Sequence, residues 1–145
     1  MIDEGHKIEP FNRDGAEPTL TQIKDPSRLM PSIASRLQEL EGAGYQSIAV
    51  ICKTAAESNR MYMELKAHLP HLRLIEKETA TFEKGLTIIP SYLAKGVEFD
   101  AVIISNASSS CYGRESERKL FYTACTRAMH ELHLYYVGEL TPFIE

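Results

Sequence analysis

Three short segments of the chain are apolar at successive positions, without the alternation of a strand that has one face in water. They are Ser47–Cys52 (SIAVIC), Thr87–Ile89 and Ala101–Ser105 (AVIIS). Such segments are typical of strands buried on both faces of a parallel sheet. Two further strands are predicted at Leu72–Ile75 and Leu132–Val137.

Between these strands, apolar residues recur every three or four positions, which predicts helices. One helix is expected after Asp25-Pro26, and another after Thr54, whose side chain can cap it. A third is predicted at Glu115–Met129. The apolar stripes are Leu29, Ile33, Leu37 and Leu40 in the first helix; Met61, Tyr62, Leu65 and Leu69 in the second; and Leu120, Phe121, Ala124, Cys125, Ala128 and Met129 in the third. Strands that alternate with helices predict an α/β fold, with a mostly parallel sheet and helices on both of its faces.

The N-terminal part of the chain has a different pattern. Lys7–Phe11 and Thr19–Ile23 each have the composition of a short strand, and Asn12 to Gly15 (NRDG) has the residues of a tight turn. They predict an N-terminal β-hairpin, and Pro10 would confine its first strand to a sheet edge. We therefore expect residues 1–26 to form an extended segment or hairpin that belongs to the same domain as residues 27–145.

Composition narrows the class of protein. The chain has 145 residues, 43% of them hydrophobic, which suits one domain with a packed core. The formal net charge is -4, which argues against tight nucleic-acid binding by this chain alone but leaves room for a few phosphate contacts. Three widely spaced cysteines without a CxxC pair predict neither a disulfide framework nor a metal site. No signal sequence or membrane span is evident, so a cytoplasmic location without membrane partners is expected.

Polar residues gather in one connection between two predicted buried strands. SYLAKGVEFD (Ser91 to Asp100) contains Lys95, Glu98 and a glycine, Gly96. Function in open α/β sheets concentrates in loops at the carboxyl ends of strands, and Lys53-Thr54 and the loop after Ser105 are candidates for the same reason. An exposed connection with ordinary solvated charges is an equally good interpretation from spacing alone. The phosphate-loop pattern GxxxxGK is absent from the chain.

Arg127 is a permanently charged residue in a segment that otherwise builds core. At about 100° per residue, it falls on the flank of the third helix's apolar stripe. An arginine held there could direct its planar fork at phosphate oxygens. The alternative is a snorkelling arginine near a helix C-terminus, and the pattern alone favours that alternative.

Two blocks of the sequence together resemble a known family. YLAKGVEFDAVII resembles motif V, and ERKLFYTACTRAMHEL resembles motif VI, of the UvrD-like superfamily-one DNA helicases. A weaker match, AVICKTAAESNR, resembles their motif IVa. The wording of the two stronger blocks is most similar to the HelD-like branch. The matches cover about the last two thirds of the chain.

The resemblance implies a RecA-like three-layer αβα domain, the second of two motor domains. In this family the Walker motifs lie on the first, N-terminal RecA-like domain, and ATP with Mg²⁺ binds in the cleft between the two. The resemblance therefore implies that residues 27–145 are a fragment of a longer protein. Its partners would be the N-terminal domain and single-stranded or partly duplex DNA. The chain alone is not expected to hydrolyse ATP.

The resemblance implies roles for five residues that match positions of the family's motifs. Arg127 matches the arginine finger of motif VI, which contacts the γ-phosphate across the cleft. Glu98 matches the motif V glutamate that contacts the ribose, and Gly96 matches the glycine that admits the phosphates. Thr54 matches a threonine that touches the single-stranded DNA backbone. Tyr92 stands where many relatives have a histidine that contacts DNA, and this difference puts its role in question.

Three functions are compatible with these residues. The first is the motor domain of an ATP-dependent DNA helicase or translocase. The second, implied by the HelD-like wording, is an ATPase motor that remodels RNA polymerase instead of unwinding DNA. The third is an α/β binding module without catalysis, which predicts that Arg127 and Glu98 lie apart. The first predicts that Arg127, Glu98 and Gly96 share one face at the carboxyl ends of the strands.

Overall fold

The computed structural model of the protein describes residues 17–77 and 84–144, and these form one sheet with helices on both faces. Its strand order is β1-β6-β5-β2-β4-β3, and every pairing between these strands is parallel. The strands are β1 (Thr19–Ile23), β2 (Ser47–Cys52), β3 (Arg73–Leu74), β4 (Gly85–Pro90), β5 (Phe99–Ile104) and β6 (Ala128–Val137). The helices are α1 (Leu29–Gly42), α2 (Ala55–Leu65) and α3 (Arg118–Cys125), with 3-10 turns at Pro26–Arg28, Ser91–Leu93 and Glu115–Glu117.

The sheet separates two hydrophobic cores, as expected for strands buried on both faces. Alternate residues of β2 point to opposite sides, so Ile48 and Val50 pack in one core and Ala49 and Ile51 in the other. The first core is covered by α1 and α2, through Ile33, Leu37, Leu40, Met61 and Leu65. The second is covered by α3, through Phe121, Ala124 and Cys125. The predicted three-layer α/β architecture is confirmed.

Local sequence signals place the first two helices. The Asp25 carboxylate accepts a hydrogen bond from the backbone N–H of Ser27 at 3.1 Å, which starts the turn that leads into α1. The Thr54 hydroxyl accepts one from the N–H of Glu57 at 3.1 Å and caps α2. α2 ends at Leu65, earlier than the apolar stripe suggested, although Leu69 is still buried.

The third helix is shorter than predicted, and this corrects the position of Arg127. α3 ends at Cys125, and β6 begins at Ala128 instead of Leu132. Thr126 and Arg127 form the turn between them, with backbone N–H bonds to Tyr122 O (3.0 Å) and Ala124 O (3.2 Å). A buried alanine fits the apolar stripe of a helix as well as the start of a buried strand, so the pattern extends the predicted helix too far. In the structure, Ala128 is buried and pairs with Phe99 of β5, and it therefore begins β6.

Of the predicted N-terminal hairpin, the strand at Thr19–Ile23 is confirmed. Thr19–Ile23 is a strand, and it pairs with β6 at the edge of the sheet. The other predicted strand, Lys7–Phe11, and its turn lie outside the described residues. Among the helices of residues 17–77 and 84–144, none is long and apolar enough to cross a membrane.

Candidate functional site

Arg127 is held by hydrogen bonds on both its backbone and its side chain. Its carbonyl oxygen accepts a bond from the N–H of Phe99 at 2.8 Å. Its guanidinium donates from Nε to the carbonyl of Thr123 at 3.0 Å and from Nη2 to the Thr126 hydroxyl at 3.2 Å. A guanidinium has five N–H groups, so within the described part of the chain three remain to bind another molecule. The side chain is partly buried, which fixes the fork without covering it.

The bond between Phe99 and Arg127 brings the polar connection beside the arginine. Glu98 directly precedes Phe99, and both Gly96 and Glu98 are exposed. The connection is folded by successive turns, in which Ala94 N–H bonds Ser91 O (3.1 Å) and Val97 N–H bonds Ala94 O (3.0 Å). Gly96 has a φ of +83°, which a residue with a side chain rarely adopts. Gly96, Glu98 and the partly exposed Arg127 therefore lie side by side on one surface, which we call the amino-edge surface.

The amino-edge surface lies at the amino ends of β5 and β6, and the prediction of carboxyl ends is wrong. β5 begins at Phe99 and β6 at Ala128, so Glu98 and Arg127 each stand just before a strand. The connection from Pro90 starts at the carboxyl end of β4 and crosses the sheet to the amino end of β5. The binding-module alternative predicted that Arg127 and Glu98 lie apart, and their adjacent backbones do not agree with it.

A second surface lies at the opposite ends of the strands, where β2 and β4 terminate. Thr54 follows β2, and Tyr92 lies in the 3-10 turn that follows β4, with 54% of its surface exposed. The Ser91 hydroxyl donates to the Lys53 carbonyl at 2.9 Å and holds that turn against the end of β2. Tyr92 lines a pocket of about 180 Å³ together with Ala55 and other residues of α2. We call Thr54, Tyr92 and this pocket the carboxyl-edge surface.

Lys53, between β2 and Thr54, is bonded to the segment that precedes α3. Its ammonium donates to the carbonyl of Cys111 at 2.7 Å and to the carboxylate of Glu117. The other carboxylate oxygen of Glu117 accepts from the N–H groups of Gly113 (3.0 Å) and Arg114 (2.9 Å). These bonds, first the one from Lys53, lower the pKa of Glu117 to about 2. The sequence pattern gave no signal for Glu117, because its partner lies 64 positions away.

The cysteines are core residues and not nucleophiles. Burial raises the pKa of the Cys52 thiol to about 11 and that of Cys111 to about 12, and it also raises the pKa of Cys125. Thiols of this kind are almost entirely protonated near neutral pH. In the portion of the chain that the structure describes, no three His, Cys, Asp or Glu side chains converge as metal ligands would.

The chain is similar to proteins of a known family. Residues 85–135 match the model of the UvrD-like helicase C-terminal domain, a range that includes Gly96, Glu98 and Arg127. The crystal structure of the C-terminal domain of a possible DNA helicase from Lactobacillus plantarum WCFS1 is 38% identical to this chain. That match covers 92% of this chain and 81% of the other, with a TM-score of 0.80. No curated protein sequence matches the chain.

Two more distant structures share the fold only. One is Saccharomyces cerevisiae Dbp5 bound to RNA and ADP with beryllium fluoride, with 12% identity, a TM-score of 0.63 and coverage of 84% of this chain and 36% of the other. The other is the C-terminal domain of the DEAD-box protein Dbp5, with 14% identity, a TM-score of 0.60 and coverage of 87% and 78%. The sheet order, the matched residues and the 38% identity agree, and the chain belongs to the UvrD-like helicase C-terminal domain family.

Proposed function

We propose that this chain is the second motor domain of an ATP-driven DNA helicase or translocase, and that its amino-edge surface closes on ATP held by a partner RecA-like domain. The observation that carries the proposal is the backbone bond from Phe99 to Arg127. That bond sets Gly96, Glu98 and an anchored arginine side by side at an exposed edge. The three residue types match three needs of a nucleotide: room for phosphates, an acceptor for ribose and a cation for the γ-phosphate.

Arg127 supplies the positive charge of the proposed reaction. Water attacks the γ-phosphorus in line, the bond to the bridging oxygen breaks, and that oxygen leaves with ADP. Negative charge spreads over the oxygens during this step, and a fixed guanidinium stabilises it most. Because Thr123 and Thr126 already orient the Arg127 fork, little reorganisation is needed when the cleft closes. The chain has no GxxxxGK loop, so the partner domain holds the phosphates before closure.

Glu98 and Gly96 set the position of the nucleotide in this proposal. The exposed carboxylate of Glu98 accepts hydrogen bonds from ribose hydroxyls. Gly96, without a side chain, allows the backbone to come near the phosphates. Among the described residues no three His, Cys, Asp or Glu side chains converge, so the proposal assigns metal ligation to the partner domain.

The carboxyl-edge surface is the proposed site for single-stranded DNA. The hydroxyl of Thr54 stands at the N-terminus of α2, where a phosphate is favoured. Tyr92 offers an exposed ring on which a base can stack. A six-residue β-strand, roughly 17–20 Å long, separates this surface from the amino-edge surface. DNA and ATP can therefore bind the domain at the same time. In this proposal, closure of the cleft on ATP changes how tightly the domain holds the single-stranded DNA.

Replacing Glu98 with alanine tests the nucleotide half of the proposal. A hydrogen bond to a charged group contributes about 1.5–3 kcal/mol, so the KM for ATP should rise about 10- to 150-fold with kcat little changed. The measurement is steady-state hydrolysis by a protein that joins this chain to its phosphate-loop domain. The preference for ATP over 2′-deoxy-ATP should also fall. Glu64→Ala, an exposed change on α2, is the control. An unchanged KM would argue against the ribose contact.

Replacing Tyr92 with alanine tests the DNA half. Stacking on an aromatic ring contributes about 1–3 kcal/mol per base, so the affinity for single-stranded oligothymidylate should fall about 5- to 150-fold. Fluorescence anisotropy at one fixed salt concentration measures the Kd. Tyr92→Phe should keep most of the affinity, because the ring is retained. Met63→Ala removes another exposed apolar side chain, 61% exposed, and should change nothing. Equal affinities for wild type and Tyr92→Ala would refute the stacking role.

A further inference from the structure

We propose that the ion pair between Lys53 and Glu117 couples the two surfaces, so that DNA at the carboxyl edge acts on the position of Arg127. The inference rests on the proposed function and adds a route of regulation to it. Neither residue touches ATP or DNA in this proposal, and both are positioning residues. The pair joins the end of β2 to the start of α3, and α3 ends next to Arg127.

Lys53 is bonded to neighbours of both Tyr92 and Thr54. Its carbonyl accepts from the Ser91 hydroxyl at 2.9 Å, next to Tyr92. Its N–H donates to the carboxylate of Glu57 at 3.1 Å, in the first turn of the helix that Thr54 caps. Single-stranded DNA that binds Tyr92 and Thr54 would therefore displace the backbone of Lys53 through its bonds to Ser91 and Glu57.

Glu117 carries that displacement to α3. Besides the Lys53 ammonium, it binds the N–H groups of Gly113 and Arg114, and so fixes the turn that opens the helix. α3 has eight residues and is therefore about 12 Å long. Phe121 and Cys125 are fully buried on its inner side, and a close-packed interior transmits strain along the helix. Its last turn supplies the Thr123 carbonyl that orients Arg127.

A purely structural role for the pair predicts something different. The two side chains are only 23% and 18% exposed, so a purely structural pair would lower the free energy of unfolding when it is broken and leave the ratio of DNA-stimulated to basal hydrolysis unchanged. The coupling role predicts instead that this ratio falls in variants that still fold and keep their basal hydrolysis. Only communication between the two surfaces should be lost.

The experiment uses the protein that joins this chain to its phosphate-loop domain. ATP hydrolysis is measured with and without oligothymidylate for wild type, Lys53→Met, Glu117→Gln and the double variant. The ratio of stimulated to basal hydrolysis is expected to fall about tenfold in each single variant, within the usual range of allosteric coupling, and no further in the double variant. Lys53→Arg should restore part of the stimulation, because it keeps the charge. Glu115→Gln changes another carboxylate in the same turn and is the matched control.

Glu117→Gln separates coupling from direct electrostatics. The variant removes a negative charge, so a simple charge effect would strengthen DNA binding and preserve stimulation. Coupling predicts that binding of oligothymidylate is kept while stimulation is lost. If wild type is stimulated and all four proteins respond equally, the coupling is refuted and the proposed function survives. If wild type itself shows no stimulation by DNA, the proposed function fails and the coupling fails with it.

Discussion

Replacing Arg127 with alanine is expected to lower DNA-stimulated ATP hydrolysis by about 10³-fold, with ATP binding nearly unchanged. The arginine would act on charge that develops in the transition state, so its loss should appear in kcat and not in the Kd. The guanidinium is already oriented by Thr123 and Thr126, which makes its contribution large and hard to replace. The measurement is single-turnover hydrolysis with saturating oligothymidylate, together with equilibrium binding of a fluorescent ATP analogue.

Two further variants make the Arg127 result specific. Arg127→Lys keeps the charge but loses the planar fork, so most of the activity should still be absent. Arg28→Ala removes an exposed arginine just before α1 and should behave like wild type. Hydrolysis by Arg127→Ala at the wild-type rate would exclude the arginine-finger role.

Replacing Phe121 with alanine is expected to lower the free energy of unfolding by about 3–5 kcal/mol. The ring is fully buried at the centre of the core under α3. Its centroid lies 5.1 Å from that of Tyr112 and 6.1 Å from that of Phe143, so one substitution removes several aromatic contacts. The cavity left behind adds to the loss, because close-packed neighbours relax only in part.

Urea unfolding of the chain, followed by circular dichroism, measures the Phe121 effect. The midpoint should fall while the m-value stays constant, as expected when only stability changes. Tyr92→Ala serves as the control, since that ring is exposed and its loss should leave the midpoint unchanged. A loss below about 1 kcal/mol for Phe121→Ala would mean that the site collapses around the smaller side chain.

The central strands were predictable because burial on both faces leaves a mark in local sequence. Ser47–Cys52 was predicted with its observed bounds, and the runs at Thr87–Ile89 and Ala101–Ser105 fell on β4 and β5. The boundary between α3 and β6 was not predictable in this way. Ala128 fits both a helix stripe and a buried strand start, and its pairing with Phe99 depends on a residue far away in sequence.

The candidate site was also only partly predictable, since its residue types are local features of the sequence and its geometry is not. The residue types of Gly96, Glu98 and Arg127 were singled out from motifs, but their juxtaposition depends on one long-range bond that no local spacing encodes. The end of the strands at which the site lies was predicted wrongly, because the rule on carboxyl ends concerns the residues that directly follow a strand, whereas Gly96 and Glu98 come at the end of the connection, just before β5. Glu117 was overlooked, since only the folded chain brings it to Lys53.

The contact between Phe99 and Arg127 uses main-chain atoms only, an N–H and a carbonyl. A different residue at position 127 still offers the same carbonyl to Phe99. The position of residue 127 is therefore set by a main-chain hydrogen bond, whereas the chemistry at that position depends on the side chain. Over evolutionary time such a scaffold can exchange the residue at position 127 without losing the location, so a motor that stops hydrolysing ATP can keep its shape and acquire a new role.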